Sequence, residues 1–332
     1  MNTIGRLFRI SILGESHGAC VGILIDGCPA GVSLREEDFA KDLDRRRSGA
    51  KGTTPRKESD LPHIKSGVFN DKTTGAPLLI LFENNDVNSS SYEKIKDTPR
   101  PGHADFVAIN KFGGFNDYRG GGHFSGRLTV CLVAAGVVAK KIIETIAIHA
   151  KLIEAGGTID IEKALDAALK EGDSIGGIVE CRISNVPVGL GEPFFDSVES
   201  VLSHAVFSIP AIKGIEFGAG FLATKMKGSQ CNDDILDTKG LTATNNAGGI
   251  NGGITNGNEI VFRIAVKPTS SIKKNKQTVN LKTGVAAQLS VEGRHDTCIA
   301  LRVPVVLEAV TAVVLADLLL IEQKISRVTK KG

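Results

Sequence analysis

Two stretches of this chain are apolar on almost every side. The first, LTVCLVAAGVVA at 128–139, runs twelve residues before Lys140 and Lys141. The second, VPVVLEAVTAVVLADLLL at 303–320, carries charge only at Glu308 and Asp317. A helix without a polar stripe has no face to offer water, so it must be covered all round. A membrane span needs about 20 mostly apolar residues. One run is too short and the other holds two carboxylates, so both are expected as core helices of a soluble protein, with no membrane partner. Covering them from two sides takes layers, and the chain supplies many short strand-like segments. Helices sandwiched between sheets are therefore expected.

The segments read in order. LFRISIL and CVGILIDG alternate as two strands around the turn GESHG at 14–18. SLREEDFAKDLDRRRSG predicts a helix with a Ser33–Glu36 capping box, Gly49 beyond its end and Arg45, Arg46 and Arg47 in its last turn. GAPLLILFENND at 75–86 predicts a strand, DIEKALDAALKEG at 160–172 an amphipathic helix, and SVESVLSHAVFSIPAIKG a helix ending near Pro210. NEIVFRIAVKPTSS alternates as a strand and breaks at Pro268. No linker or shift in composition divides the chain, so residues 1–332 are expected as a single domain.

Composition removes some functions. Net charge is only +3 and aromatics make up 5%, with no Trp, so neither a basic track nor stacking platforms for nucleic acid are present. The six cysteines are scattered without CxxC or Cys/His spacing, so free thiols in a reducing cytoplasm are expected and no metal site. The N-terminus lacks the apolar stretch and cleavage site of a secretory signal.

The polar loops carry the chemistry. DYRGGGHFSGRLT at 117–129 leaves backbone bare before an apolar helix, and such a junction favours anions. It lacks the GK[ST] of a Walker loop and the βαβ setting of a dinucleotide fingerprint, and a plain Gly-rich turn is an equal reading. His17 in GESHG and His103 in RPGHAD sit in Gly-containing turns, where an imidazole can exchange protons near neutrality. Asp296 in GRHD is a base, or else a helix N-cap or an ion-pair partner, and the three arginines bind an anion or complement a helix C-terminus. KPTSS at 267–271 is a phosphate cradle or a strand end. Together they describe a basic, histidine-containing cleft for a small polyanion; they do not name a reaction.

Read as a set, LGESHG, DLDRRR, RPGHAD, DYRGGG, KEGDSIGG, GLGEPFFD, KGIEFG, NNAGGINGG, KPTSSI and GRHDTC occur in the order found in chorismate synthases. The chain resembles that family from about residue 4 to about residue 320. The resemblance implies an α+β fold, a β-α-β sandwich with buried central helices between mainly antiparallel sheets, in a cytoplasmic homotetramer. It implies a lyase of the shikimate pathway: 5-enolpyruvylshikimate 3-phosphate loses phosphate and a proton from opposite faces to give chorismate. The family requires reduced FMN without net redox change. Carried over by motif, His17 assists phosphate departure as a proton donor, and His103 protonates or stabilises the reduced flavin. Asp296 takes the proton that passes from substrate carbon through flavin N5. Arg46, Arg119 and Arg127 are assigned to substrate phosphate and carboxylates, Arg46 alternatively to NADP. His123, Phe124, Ser125, Ala211, Gly252, Lys267, Pro268, Thr269, Ser270, Ser271 and Arg294 are assigned to FMN.

Some positions depart from the family pattern. His123 replaces an arginine, FSGRLT replaces SSARET, and Lys51 stands where arginine is common. Pro210 replaces an asparagine, GRHDTC replaces GRHDPC, and the region 146–172 is short. No separate nicotinamide or flavin-reductase domain is visible, so an external flavin reductase is the simpler expectation, with NADPH left open as the reductant. Two rivals remain: another flavin or phosphate-ester enzyme on this scaffold, and an anion-binding protein that has lost the chemistry.

Overall fold

The period-2 alternation of residues 9–26 builds the first sheet of the computed structural model, which describes residues 2–54, 59–85, 89–93, 95–291 and 295–328. Its strands are β1 (Thr3–Ile4), β2 (Arg9–Gly14), β3 (Cys20–Asp26), β4 (His63–Ser66) and, after a small β5–β6 hairpin (Val68–Phe69, Lys72–Thr73), β7 (Leu78–Glu83). They lie in the order β1-β2-β3-β7-β4, every neighbouring pair antiparallel. Val21, Ile23 and Ile25 of β3 and Leu78, Ile80 and Phe82 of β7 point to one buried face. The β2–β3 register, Arg9 with Asp26 through Gly14 with Val21, leaves the Glu15–Gly18 turn at the sheet's end.

The second sheet uses β8 (Ala147–Ala155), β9 (Gly177–Ser184), β10 (Ile212–Phe217) and, after the β11–β12 hairpin (Ile250–Asn251, Ile254–Thr255), β13 (Ile260–Val266). Its order is β10-β13-β9-β8, again antiparallel throughout. A further hairpin, β14 (Lys276–Val279) with β15 (Ala286–Leu289), follows. The helices are α1 (Ala40–Arg46), α2 (Ser90–Glu93), α3 (Asp105–Phe112), α4 (Thr129–Ile142), α5 (Ile161–Glu171), α6 (Val198–Val206), α7 (Gly228–Cys231) and α8 (Val303–Ile321).

The two all-apolar runs are α4 and α8. They pack on each other between the sheets, α4 against β2 and β3, α8 against β8 and β9. The expected sandwich of mainly antiparallel sheets around central helices is the fold observed. Gly136 sets the approach of the helices: a Cβ there would stand 2.3 Å from that of Ala309. α8 is long and apolar enough to cross a membrane, yet 83% of that apolar window is covered by protein.

Both carboxylates of α8 are satisfied, as buried charge requires. Glu308 takes two hydrogen bonds from Arg45 at 2.6 and 2.7 Å, one from Lys140 at 3.2 Å and one from the Ala150 main chain at 3.1 Å. Burial raises its pKa, but Arg45 and Lys140 outweigh this and hold it below the usual carboxylate range. Asp317 accepts the main-chain N–H groups of Arg6, Leu7 and Phe8 at 2.7–2.8 Å, pinning the segment that leads into β2.

Local expectations differ at two helix ends. The Ser33–Glu36 capping box does not form. A 3-10 turn, Glu36–Phe39, precedes α1, and Asp38 accepts the Arg35 main-chain N–H at 2.7 Å. Glu36 instead accepts the N–H of Ile64 at 3.0 Å, an option a local pattern cannot reveal. Likewise α6 stops at Val206, four residues before Pro210.

Candidate active site

The loops at one end of the sandwich enclose a cleft of about 820 Å³, within the range that holds cofactors and small substrates. Its lining combines Arg46, Arg47, Ser48, Thr54, Ser59 and Asp60 with the 100–104 turn, the glycine loop 120–129, the 207–213 wall, the 267–271 segment and the entry to α8. Arg46, Arg47, Arg100, Arg127, Lys213, Lys267 and Arg302 face only Asp60 and Asp296 among the charged lining residues described, so the cleft is strongly cationic.

The glycine loop explains itself once folded. Gly120, Gly121 and Gly122 all have positive φ, +59°, +82° and +52°, which side chains rarely adopt. A Cβ on Gly120 would lie 2.4–2.5 Å from the ring of His17, and one on Gly121 would lie 3.4–3.5 Å from the ring of His103. Two residues of bare backbone thus form the wall between two imidazoles that are 86 positions apart in sequence. One on Gly122 would strike the Asp117 carbonyl oxygen at 2.1 Å. The Gly122 carbonyl accepts the Ser16 N–H at 3.1 Å, tying this loop to the turn that carries His17.

Each imidazole is oriented from behind. His17 is buried; its Nδ1 bonds the Ser89 hydroxyl at 2.8 Å and its ring meets Tyr92 edge-on at 5.4 Å. His103 Nδ1 lies 2.6 Å from the Asp105 carboxylate. Burial pushes the Asp105 carboxyl up, but hydrogen bonds from Arg100 and His103 win and hold it well below the usual range. Asp296 accepts the Thr54 main-chain N–H at 2.9 Å and lies 3.4 Å from an Arg302 nitrogen.

The arginines have distinct fates. Arg45 serves Glu308 and the core. Arg46 and Arg127 converge on Asp60, which is only 1% exposed; the Arg46 contact is 2.5 Å. Burial raises the Asp60 pKa, yet the two guanidinium groups outweigh it and keep the carboxyl below its ordinary value. Burial lowers Arg46 to about 10, still far above neutrality, so it stays charged. Arg127 Nε also donates to Asn84 Oδ1 at 3.0 Å, and the Asn84 amide donates to the Glu15 and Gly18 carbonyls at 3.0 and 2.9 Å.

Of the residues singled out from sequence, Arg46, His103, His123, Phe124, Ser125, Arg127, Ala211, Lys267, Pro268, Thr269, Ser270, Ser271 and Asp296 line the cleft. His17 adjoins it behind Gly120. Arg119 does not line it; Asp117 holds its guanidinium at 2.8–2.9 Å. Gly252 lies in the β11–β12 turn, also outside the lining. Arg294 falls outside the described residues. His123 spends Nδ1 on the Gly14 carbonyl at 2.7 Å. Sequence reasoning missed Asp60, Asn84, Asp105, Arg100 and Arg302. Arg100 and Asp105 stand within RPGHAD itself, so the motif held that signal; Asp60 lies in an unpatterned loop.

The chemistry of the donor set fits a phosphorylated flavin beside an anionic substrate. Arg46 Nε and the Thr269 hydroxyl are buried with no hydrogen-bond partner among the described residues, and both belong to lining residues. The thiols offer no nucleophile there: burial raises Cys28 to about 11 and Cys131 to about 12.

Residues 8–320 match the family model described as chorismate synthase. The chain is 66% identical over 331 residues to a chorismate synthase of Chitinophaga pinensis, covering 99% of this chain and 100% of that one. It is 47% identical to one of Dehalococcoides mccartyi, with coverage of 99% and 100%. A crystal structure of a chorismate synthase superposes with a TM-score of 0.74 at 28% identity, over 96% of this chain and 93% of that one. The ordered loops, the helix-filled sandwich and these matches agree, and the chain belongs to the chorismate synthase family, lyases of aromatic amino acid biosynthesis.

Proposed function

We propose that this cleft carries out the 1,4-trans elimination of phosphate from 5-enolpyruvylshikimate 3-phosphate, giving chorismate, with reduced FMN bound beside the substrate. The observation that carries the reading is the convergence of His17 and His103 on the Gly120–Gly121 wall of a cationic cleft that Asp296 also lines. When bound, the reduced flavin supplies electron density transiently as phosphate leaves and recovers it, so no net oxidation follows. The Lys267–Ser271 segment, Ala211, His123, Phe124 and Ser125 would hold that cofactor. Arg294 and Gly252 are carried only by motif.

The protein's own groups do the rest. His17 gives a proton to the departing phosphate from the nitrogen not engaged by Ser89. Arg46 and Arg127 answer the developing phosphate charge; their shared Asp60 fixes them in advance, so little reorganisation is needed. His103 holds a proton at the flavin's edge. Asp296, which lies 3.4 Å from an Arg302 nitrogen, receives the proton lost from substrate. Arg119 would reach substrate only after leaving Asp117.

We further propose that residues 1–332 work as one catalytic domain in a cytoplasmic homotetramer. The exposed Phe194, Phe195, Phe221 and Leu222 support burial between copies. Flavin reduction is assigned to an external flavin reductase.

The test is an anaerobic assay with dithionite-reduced FMN and the enolpyruvyl substrate. Chorismate release that depends on reduced FMN is expected. Tight flavin binding without turnover would instead favour the anion-binding reading. Turnover with NADPH alone, without added reductase, would overturn the assignment of reduction to a partner.

A further inference from the structure

We propose that Asp105 is a positioning residue for His103: its carboxylate holds the proton on Nδ1 and leaves Nε2 as the nitrogen that works in the cleft. This rests on the proton-handling role given to His103 above.

The geometry decides the tautomer. His103 Nδ1 is 2.6 Å from Asp105 Oδ1 and 3.0 Å from Arg100 Nη2. An arginine can only donate, and a carboxylate can only accept. If Nδ1 were bare to receive Arg100, its lone pair would face the carboxylate at 2.6 Å. If Nδ1 carries hydrogen, the shorter, charge-assisted contact is satisfied. Arg100 loses nothing, because it already donates to Asp105 through Nε at 2.7 Å and Nη2 at 2.8 Å, and to Ser271 through Nη1 at 3.1 Å.

The remaining ring edge is open by design of the sequence. Nε2 and Cε1 are the atoms nearest Gly121, 3.5 and 3.4 Å from where a Cβ would stand, and Gly121 has none. RPGHAD folds as one closed turn: Asp105 Oδ2 accepts the Arg100 main-chain N–H at 3.0 Å, and the His103 N–H bonds the Arg100 carbonyl at 3.1 Å. Arg, His and Asp at this spacing therefore meet on one side of the turn.

Other charged or titratable groups bear on the ring. Lys267, from the opposite segment, donates to the Gly102 carbonyl at 2.8 Å, and Tyr92 lies under Arg100 at 5.7 Å. Asp105 is the group that accepts from the ring, so it is the one that aims it.

The decisive measurement is made on the unaltered protein. Solid-state NMR of 15N-histidine-labelled protein without cofactor, with the His103 signal assigned by its loss in His103→Gln, should show hydrogen on Nδ1 at a pH where the ring is neutral. Hydrogen on Nε2 would overturn the proposal. In Asp105→Asn the amide can donate to Nδ1, so the tautomer should switch. With reduced FMN, kcat should fall about 10²-fold and KM should change little. An unchanged tautomer and an unchanged kcat in Asp105→Asn would sink it. A switched tautomer with full turnover in both Asp105→Asn and His103→Gln would support the placement of the proton and refute the catalytic reading of His103.

Discussion

Adding one methyl group at Gly120 separates two things the glycine loop does. The residue has φ +59°, so an alanine there costs about 1–2 kcal/mol of backbone strain. Its Cβ would also stand 2.4 Å from His17 Cδ2 and 2.5 Å from Nε2, against 3.4 Å for ordinary contact. The imidazole, buried and tied to Ser89, must therefore move by roughly 1 Å, a displacement that can cost about 10²-fold in rate. Gly114 supplies the control: its φ is +82°, and a Cβ there meets nothing within 4 Å. Gly114→Ala should lower the melting temperature by a few degrees, about 2–4 °C per kcal/mol for a chain of this order, and leave turnover near normal. Gly120→Ala should show a similar thermal loss and about a hundredfold fall in anaerobic turnover with reduced FMN. Full activity in Gly120→Ala, or an equal loss in Gly114→Ala, would refute the claim that the glycine is there to seat His17.

The core makes further predictions. Gly136→Val should cost about 1–3 kcal/mol or more in urea denaturation, because its side chain collides with Ala309 at the α4–α8 crossing. Glu308→Ala removes the buried carboxylate that Arg45 and Lys140 share, leaving both on Asp42 alone among the described residues, and should cost about 1–3 kcal/mol at pH 7. The folded pKa of Glu308 is depressed, so its stabilisation is present above the unfolded value and is lost as pH falls through the folded one. The gap between wild type and Glu308→Gln should therefore narrow below about pH 4, and an invariant gap would contradict the ionised pair. Asp317→Ala strips three main-chain N–H groups of their acceptor and should cost about 1–3 kcal/mol, with faster hydrogen exchange at Arg6, Leu7 and Phe8 as the local readout.

The layered fold was legible because its cause is local. An all-apolar helix demands cover, and short apolar or alternating runs at 20–26, 78–83 and 260–266 declare strands. The ends of elements were less legible: Glu36 looked like a cap until Ile64, brought close only by the sheet, took its carboxylate. The site split the same way. Residues inside short motifs, such as His17 and His103, could be singled out because Gly-rich turns are themselves a signal. Asp60 and Asn84 carried none, since their meaning lies in partners 14 to 69 positions away: Arg46 and Arg127 for one, Glu15, Gly18 and Arg127 for the other. Arg119 shows the converse, a motif residue whose nearest partner is its own neighbour Asp117.

The loops that make the cleft are bonded to one another as much as to the strands and helices that launch them. Asn84, after β7, grips the turn after β2 and steers Arg127 at the mouth of α4. Thr54, after α1, holds Asp296, and Arg302 reaches back to the Arg46 carbonyl at 2.9 Å. Lys267 and Ser270, after β13, both seize the Gly102 carbonyl, while Arg100 returns a bond to Ser271. Such cross-links restrict each loop without a helix or strand of its own, and they fix charges before a ligand arrives. That matters for an elimination in which two leaving groups depart from opposite faces: donors and acceptors must already stand at both sides, because a cationic cleft that reorganised during the reaction would spend its electrostatic advantage on its own rearrangement. The buried helices give the cleft its rigid floor; the loop-to-loop bonds give the polar groups above it fixed places.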